Sequence, residues 1–411
     1  MATGKRLVLV PEPLRLEQII KSGTRYASAG RKKTDMKVLI LSCNTGEGHN
    51  SAANAIRSHL LSSGMECTIK DTLTFLGKKA SDRVSDFYIY STQSNLFGHI
   101  YQIGSTINEV FDHLKSPVYL WNSTYSRKLE AYIQSNRFDA VICVHLFPAL
   151  AISSIRAKGH CQIPTIFIMT DYTCIPFLNE TELDYYVIPH EHLIEEFVLG
   201  GIPRKKIRPY GIPVGDTFFT RGLQAEARER IAESFGWDIP LHNNWFLIMT
   251  GSMGFGDIQG IIDEIMRQSA VTPEIIAVCG HNEEMLGELR RTNRNLINVH
   301  PIGFTDNIPV LMDACDVLFT KPGGISSTEA ISKGIPLIHT APIPGCETRN
   351  AEFFHYHGMS YSSTDIEEQV RIALRLCYDP EYRKEMTGAQ KHNAKPDTCH
   401  NICSLITDRA S

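Results

Sequence analysis

The chain has 411 residues, room for two or three domains of ordinary size. With 43% hydrophobic and 21% charged residues it has the composition of a globular protein with ample core, not of a disordered or fibrous chain. A net charge of -4 argues against a general nucleic-acid binder, so no nucleic-acid partner is expected.

Eleven cysteines are scattered singly, without a Cys-x-x-Cys pair, and several sit inside apolar runs. That pattern reads as free thiols in a reducing compartment, neither a disulfide framework nor a zinc site. No apolar run approaches the roughly 20 residues of a spanning helix. The first such run, Leu7 to Val10, is too short for a signal peptide. A cytoplasmic protein is expected, meeting any membrane substrate from the surface.

Residues 1–35 lack clear periodicity and read as a loosely ordered extension, with a small amphipathic piece at Leu14 to Ile20. Order begins at Met36. Lys37 to Cys43 is a continuous apolar strand, followed by the loop Asn44 to Asn50 and a helix from Ser51. Strand, glycine loop and helix make the opening unit of a doubly wound sheet. The loop holds Gly46, Gly48, His49 and Asn50, but it is neither a P-loop nor a dinucleotide fingerprint. Glu47 within it would oppose a pyrophosphate, so the loop is expected to face an acceptor. Cys67 to Asp71 is the second strand.

Residues 84–125 carry nine aromatics: Phe87, Tyr88, Tyr90, Phe97, Tyr101, Phe111, Tyr119, Trp121 and Tyr125. Apolar residues there follow helical spacing, which fits either a buried helix face or an amphipathic surface dipping into lipid. Ala140 to Val144, Thr165 to Met169 and Tyr185 to Ile188 are further short strands, alternating with helical stretches, which implies a parallel sheet. Asp171 follows one strand and His49 closes the loop after another, at carboxyl ends where open α/β sheets place ligands. A lone His or Asp in a loop is more often structural than catalytic. Pro203 to Pro213 is a Pro/Gly-rich boundary and the expected hinge.

A second series of strands begins at Trp245 to Thr250 and continues at Glu274 to Cys279, Ile297 to Pro301, Val317 to Thr320 and Pro336 to His339. The loop Gly251, Ser252, Met253, Gly254 after its first strand can aim backbone N–H groups at a phosphate, or can be a plain tight turn. Phe304 precedes a helix and reads as a packing wall. After Thr320 come Lys321, Pro322, Gly323 and Gly324, then a short helix ended by Gly334. Two glycines able to adopt positive φ, free N–H groups and the Lys321 charge suit an anion. Glu329 could accept hydrogen bonds from a ribose diol. Equally, Ser326 and Glu329 fit a capping box, which needs no ligand.

This stretch, running on to Gly345, Glu347 and Asn350, resembles the C-terminal signature of GT-B glycosyltransferases. It is most similar to the group holding monogalactosyldiacylglycerol synthase and the processive diacylglycerol glucosyltransferases, with MurG more distant. The resemblance implies an α/β fold of two Rossmann-like doubly wound domains facing a central cleft. With order from Met36 and the boundary ending at Pro213, an acceptor domain is expected at 36–213 and a donor domain at 214–390, and the resemblance implies a return of 391–411 toward the first domain. By resemblance Glu329 holds the ribose of UDP, while Gly345, Glu347 and Asn350 face donor sugar and diphosphate. Gly323, Gly324, Ser327 and Thr328 belong to the same donor signature, the 251–254 loop touches the diphosphate, and the loop at Phe304 binds uracil through its backbone. Cys346 stands where many relatives carry Gln.

The activity so implied is inverting transfer of glucose or galactose from a UDP-sugar to diacylglycerol. The aromatic segment and the basic clusters Lys78-Lys79 and Arg204 to Arg208 add an expected docking on an anionic membrane surface. His49 is the expected base or donor-phosphate contact, Asp171 the alternative base or its orienter, and His145 a weaker third candidate. No Asp-x-Asp pair occurs in the chain, so no metal and no other cofactor is expected. The competing reading from another class is a UDP-sugar epimerase, or a sensor that binds the nucleotide sugar without turnover.

Overall fold

The protein is described here from a computed structural model, which covers residues 36–43, 47–77, 115–249, 251 and 256–407. The extension 1–35, most of the aromatic segment, and Gly46, Lys78, Lys79, Ser252, Met253 and Gly254 lie outside the described residues.

The first sheet contains β1 (Lys37–Ser42), β2 (Glu66–Asp71), β3 (Ala140–Cys143), β4 (Thr165–Ile168), β5 (Tyr185–Val187) and β6 (Ile207–Arg208), in the order β2-β1-β3-β4-β5-β6. All pairs are parallel. The second contains β7 (Trp245–Met249), β8 (Glu274–Val278), β9 (Val299–Ile302), β10 (Val317–Thr320), β11 (Leu337–His339) and β12 (Tyr361–Ser362), in the order β12-β11-β10-β7-β8-β9, again all parallel. The expected α/β class with two Rossmann-like domains is what the chain forms. Central strands such as β3, β7 and β10 are buried along their whole length, as a sheet covered on both faces requires.

The helices that bear on the site are α1 (Glu47–Ser62), α2 (Leu146–Arg156), α3 (Gly324–Lys333), α4 (Cys346–Tyr356), α5 (Pro380–Asn393) and α6 (Thr398–Thr407). Helix α1 begins at Glu47, four residues before the expected Ser51, with the Glu47 carboxylate at its positive end. Helix α6 packs on the first sheet: Ile402, Cys403 and Ile406 are buried with Val38, Ile40 and Ile142. The chain reaches it past Gly211, where Thr398 Oγ1 donates to the Tyr210 carbonyl at 2.6 Å. Gly211 has φ +104°, and a Cβ there would lie 2.6 Å from Thr398 Oγ1. The 203–213 stretch, read from sequence as a hinge, therefore contains β6 and the seat of the returning chain.

Of the aromatic segment, Tyr119 and Tyr125 are core residues, and the Tyr125 hydroxyl donates to Asn122 Oδ1 at 2.6 Å. Trp121 is half-buried, edge-on to Phe147 at 5.5 Å, and Leu120 beside it is 57% exposed. The eleven cysteines are all free thiols, as their spacing predicts.

Candidate active site

Each sheet has a point where strand order reverses, between β1 and β3 in the first and between β7 and β10 in the second. Loops there leave in opposite directions and open a crevice. In this chain the two crevices face each other, and the loops that line them touch.

On the first side, α1 carries His49 in its opening turn. Its Nδ1 lies 2.8 Å from the Val144 carbonyl and 3.3 Å from Thr170 Oγ1. A carbonyl only accepts, so Nδ1 carries the hydrogen and Nε2 holds the lone pair. Burial holds the imidazole below its ordinary pKa, opposed by the Asp171 charge and the Val144 bond, so the neutral ring prevails at neutral pH. The His145 ring stands edge-on to it at 4.8 Å. Burial, then the neighbouring His49, keeps His145 uncharged, and its Nδ1 accepts from Phe147 N as the cap of α2. Of the two histidines, His145 has a structural task. Gly48 lies against the other domain, where a Cβ would approach Ile325 Cγ1 to 3.3 Å, and Asn50 Oδ1 accepts from Ser42 Oγ at 3.0 Å.

Asp171 and Tyr172 follow β4. Burial pushes the Asp171 carboxyl above its ordinary range, the Asn350 amide and His49 pull it back, Glu347 adds repulsion and Lys321 attraction. Tyr172 was not foreseen from sequence. Its hydroxyl bonds Thr328 Oγ1 at 3.0 Å, and its ring packs on Phe353 and Phe354 of α4 at 4.9 and 4.6 Å. Glu196, also unforeseen, accepts from Thr173 Oγ1 and Cys174 N, both at 2.7 Å, and so braces the loop after Asp171.

On the second side, α3 starts at Gly324 with Gly323 as its cap and no side-chain cap. Ser326 lies inside the helix and Glu329 falls in its second turn, so the capping box does not form. The two glycines also differ from expectation. Neither has positive φ. Gly324 is needed for close approach: a Cβ there would stand 2.0 Å from the Thr170 carbonyl oxygen across the cleft. The left-handed position is Gly345, at φ 118° before α4, and Gly334 ends α3 at φ 69°, as predicted.

Lys321 Nζ donates to Glu347 Oε1 at 2.6 Å, and Glu347 Oε2 accepts from Ile343 N at 2.9 Å. The Lys321 stem crosses Gly251 (φ +77°), where a Cβ would lie 2.9 Å from Lys321 Cε. The cation expected to meet a phosphate is thus paired with the carboxylate expected to face the sugar. Phe304 is 58% exposed and stacks on His281 at 4.5 Å, an open aromatic pair rather than a packed wall. Glu329 is half-buried, and desolvation pushes its carboxyl up to about 8.

Three side chains expected at the donor site are engaged within the protein. Ser327 is fully buried with its hydroxyl 2.9 Å from His339 Nε2, in the core. Thr328 donates to the Gly324 carbonyl at 2.6 Å and meets Tyr172, inside the domain contact. Asn350 is fully buried, with its amide turned to the first domain. In each case the side chain is consumed by protein partners before any ligand arrives. Among the described residues no cluster of three or more His, Cys, Asp or Glu could hold a metal.

The Glu329 carboxyl has a consequence for stability. In the folded state it binds its proton more tightly than in the unfolded chain, where the pKa is near 4.5. Stability is therefore lost as pH rises from about 4.5 to about 8. Glu329→Gln removes this dependence, so the melting temperature of the variant relative to wild type should climb from pH 5 to pH 8. A constant difference across that range would refute the assignment.

Two Rossmann-like halves, with the switch-point loops of each turned to the other, define the GT-B class. MurG from Acinetobacter baumannii superposes with a TM-score of 0.57 at 14% identity, covering 91% of this chain and 99% of that one. UDP-GlcNAc 2-epimerase from Neisseria meningitidis superposes with a TM-score of 0.59 at 14% identity, over 91% and 100%. These likenesses speak for the fold alone. Within that class, residues 49–214 match the monogalactosyldiacylglycerol (MGDG) synthase family and residues 262–393 match glycosyl transferases group 1. The processive diacylglycerol beta-glucosyltransferase of Bacillus pumilus is 26% identical over 364 residues, covering 87% of this chain and 91% of that protein. Its counterpart in Bacillus thuringiensis is 26% identical over 384 residues, covering 90% and 93%. Two glycosyltransferase family models thus match the chain in tandem, and the resemblance read from its motifs is borne out.

Proposed function

We propose that this protein transfers a hexose from a UDP-sugar to the hydroxyl of diacylglycerol, with inversion at the sugar carbon. The observation that carries the reading is the meeting of His49 and Asp171, on an MGDG synthase domain, with Lys321 and the uncapped α3 terminus across one cleft. The acceptor oxygen attacks the anomeric carbon, its proton passes to the base at His49 and Asp171, and the carbon–oxygen bond to the diphosphate breaks. UDP leaves with that electron pair, its charge met by the α3 N–H groups and by Lys321 once Glu347 turns to the sugar. His49 is suited to the base role because its ring is kept neutral with Nε2 unprotonated.

The test offers labelled UDP-glucose and UDP-galactose separately, with diacylglycerol vesicles, and resolves the products by chromatography. Label in the lipid fraction is expected. Interconversion of the sugar nucleotides without lipid label would establish an epimerase, and binding without any product a sensor.

Transfer should persist in excess EDTA, because the chain has no Asp-x-Asp pair to present a metal to the diphosphate. Complete loss, restored by magnesium or manganese, would overturn that expectation.

The acceptor is a membrane lipid in this reading, so the first domain should dock on the bilayer surface. No described helix is long and apolar enough to cross it. Lys205 is exposed beside Arg204, which pairs with Glu195, and Leu120 and Trp121 lie in the described end of the aromatic segment. Basic residues at an anionic leaflet contribute about 1 kcal/mol each. Sedimentation with anionic vesicles should be strong at low salt and weaken as salt screens it. Equal binding to neutral vesicles at high salt would contradict electrostatic docking.

A further inference from the structure

Asn350 is fully buried at the junction of the two domains, and each polar group of its amide is engaged. Its Oδ1 accepts from the Tyr172 backbone N–H at 2.7 Å. Its Nδ2 donates to Asp171 Oδ1 and to the Pro322 carbonyl, both at 2.9 Å. The orientation of the amide follows from its partners: a backbone N–H needs an acceptor, and a carboxylate and a carbonyl need donors. Both amide hydrogens are spent and the side chain has no exposed surface, so in this closed arrangement it has no donor left for a sugar.

The three partners come from different places. Asp171 and Tyr172 belong to the first domain, immediately after β4. Pro322 belongs to the second, two residues before α3 begins. Asn350 itself lies on α4. One amide therefore ties the helix terminus expected to meet the diphosphate to the carboxylate expected to meet the acceptor. Opening the cleft must break the Tyr172 and Asp171 bonds, while the Pro322 bond, within the second domain, can survive.

We propose that Asn350 is a positioning residue that orients the Asp171 carboxylate only when the two domains close, so that the base is assembled in the closed cleft alone. The proposal rests on the reading of Asp171 as part of the transfer machinery. Such an arrangement limits wasteful attack of water on the donor in the open form, because the group that takes the proton is then unaligned.

The test uses the full chain with Asn350→Ala and the isosteric Asn350→Asp. In both, kcat for lipid glycosylation should fall ten- to a hundredfold, as expected when a reacting group is misplaced by about 1 Å. UDP affinity should stay within about twofold of wild type. The acid limb of the kcat–pH profile should move to higher pH, since the amide that favours the Asp171 carboxylate is gone. Hydrogen exchange at the Tyr172 amide should quicken in both variants. If Asn350→Ala unfolds early, Asn350→Asp, which keeps the volume, decides.

A loss of UDP or UDP-sugar affinity with an unmoved acid limb would overturn the proposal in favour of a direct donor contact. Wild-type kcat in both variants would overturn it outright. Should the wild-type protein transfer no sugar at all, the proposed function fails instead. The latch is then judged by Tyr172 exchange alone, and protection unchanged from wild type sinks it.

Discussion

Asp171→Asn should lower kcat by roughly 10²- to 10⁴-fold, the usual range for losing a general base, while UDP binding is retained. The substitution keeps shape and can still accept from Asn350, so the cleft should close as before. What it removes is the capacity to take a proton. His49→Ala should cost a comparable factor, because the neutral ring is the other group able to accept one. Asp171 and His49 influence each other's ionisation, so they act as a unit, and the double variant should lose little more than the worse single one. Steady-state rates with calorimetric UDP affinities decide the matter. If affinity falls in step with kcat, these residues bind donor and the proton is taken elsewhere.

Glu329→Ala should weaken UDP binding roughly three- to tenfold, the loss of one hydrogen-bonded contact from a protonated carboxyl worth about 0.5–1.5 kcal/mol. The alternative, a capping role, is already closed by the position of Gly323 as the helix cap. The carboxyl is desolvated enough to be pushed up to about 8, so removing it should not lower the melting temperature of the ligand-free protein. Calorimetry with UDP and thermal unfolding without it separate the two quantities. Unchanged affinity with a lower melting temperature would make Glu329 a structural residue.

Most of the fold was legible because its central strands are unbroken apolar runs set between Gly, Pro and Asp. The two-residue strands β6 and β12 were not, since a pair of residues carries no period. Chain-local reasoning also misjudged the start of α3. It placed the cap at Ser326 and explained Gly323 and Gly324 by positive φ, whereas Gly324 answers to a carbonyl of the other domain. The same limit applies to Ser327, Thr328 and Asn350. Their place in a donor signature was readable, but the direction of each side chain depends on partners distant in sequence: His339, Tyr172 and Asp171. Glu196 left no signal at all, being an ordinary helix carboxylate until the fold sets it against Thr173.

The configuration of the lipid product tests the account most directly. With diacylglycerol vesicles and an α-linked UDP-hexose, proton NMR of the purified glycolipid should show the β anomer, formed in equal amount to the UDP released. An α-linked product, or UDP-sugar consumed with no sugar on lipid, would contradict a single displacement across the His49 and Asp171 cleft.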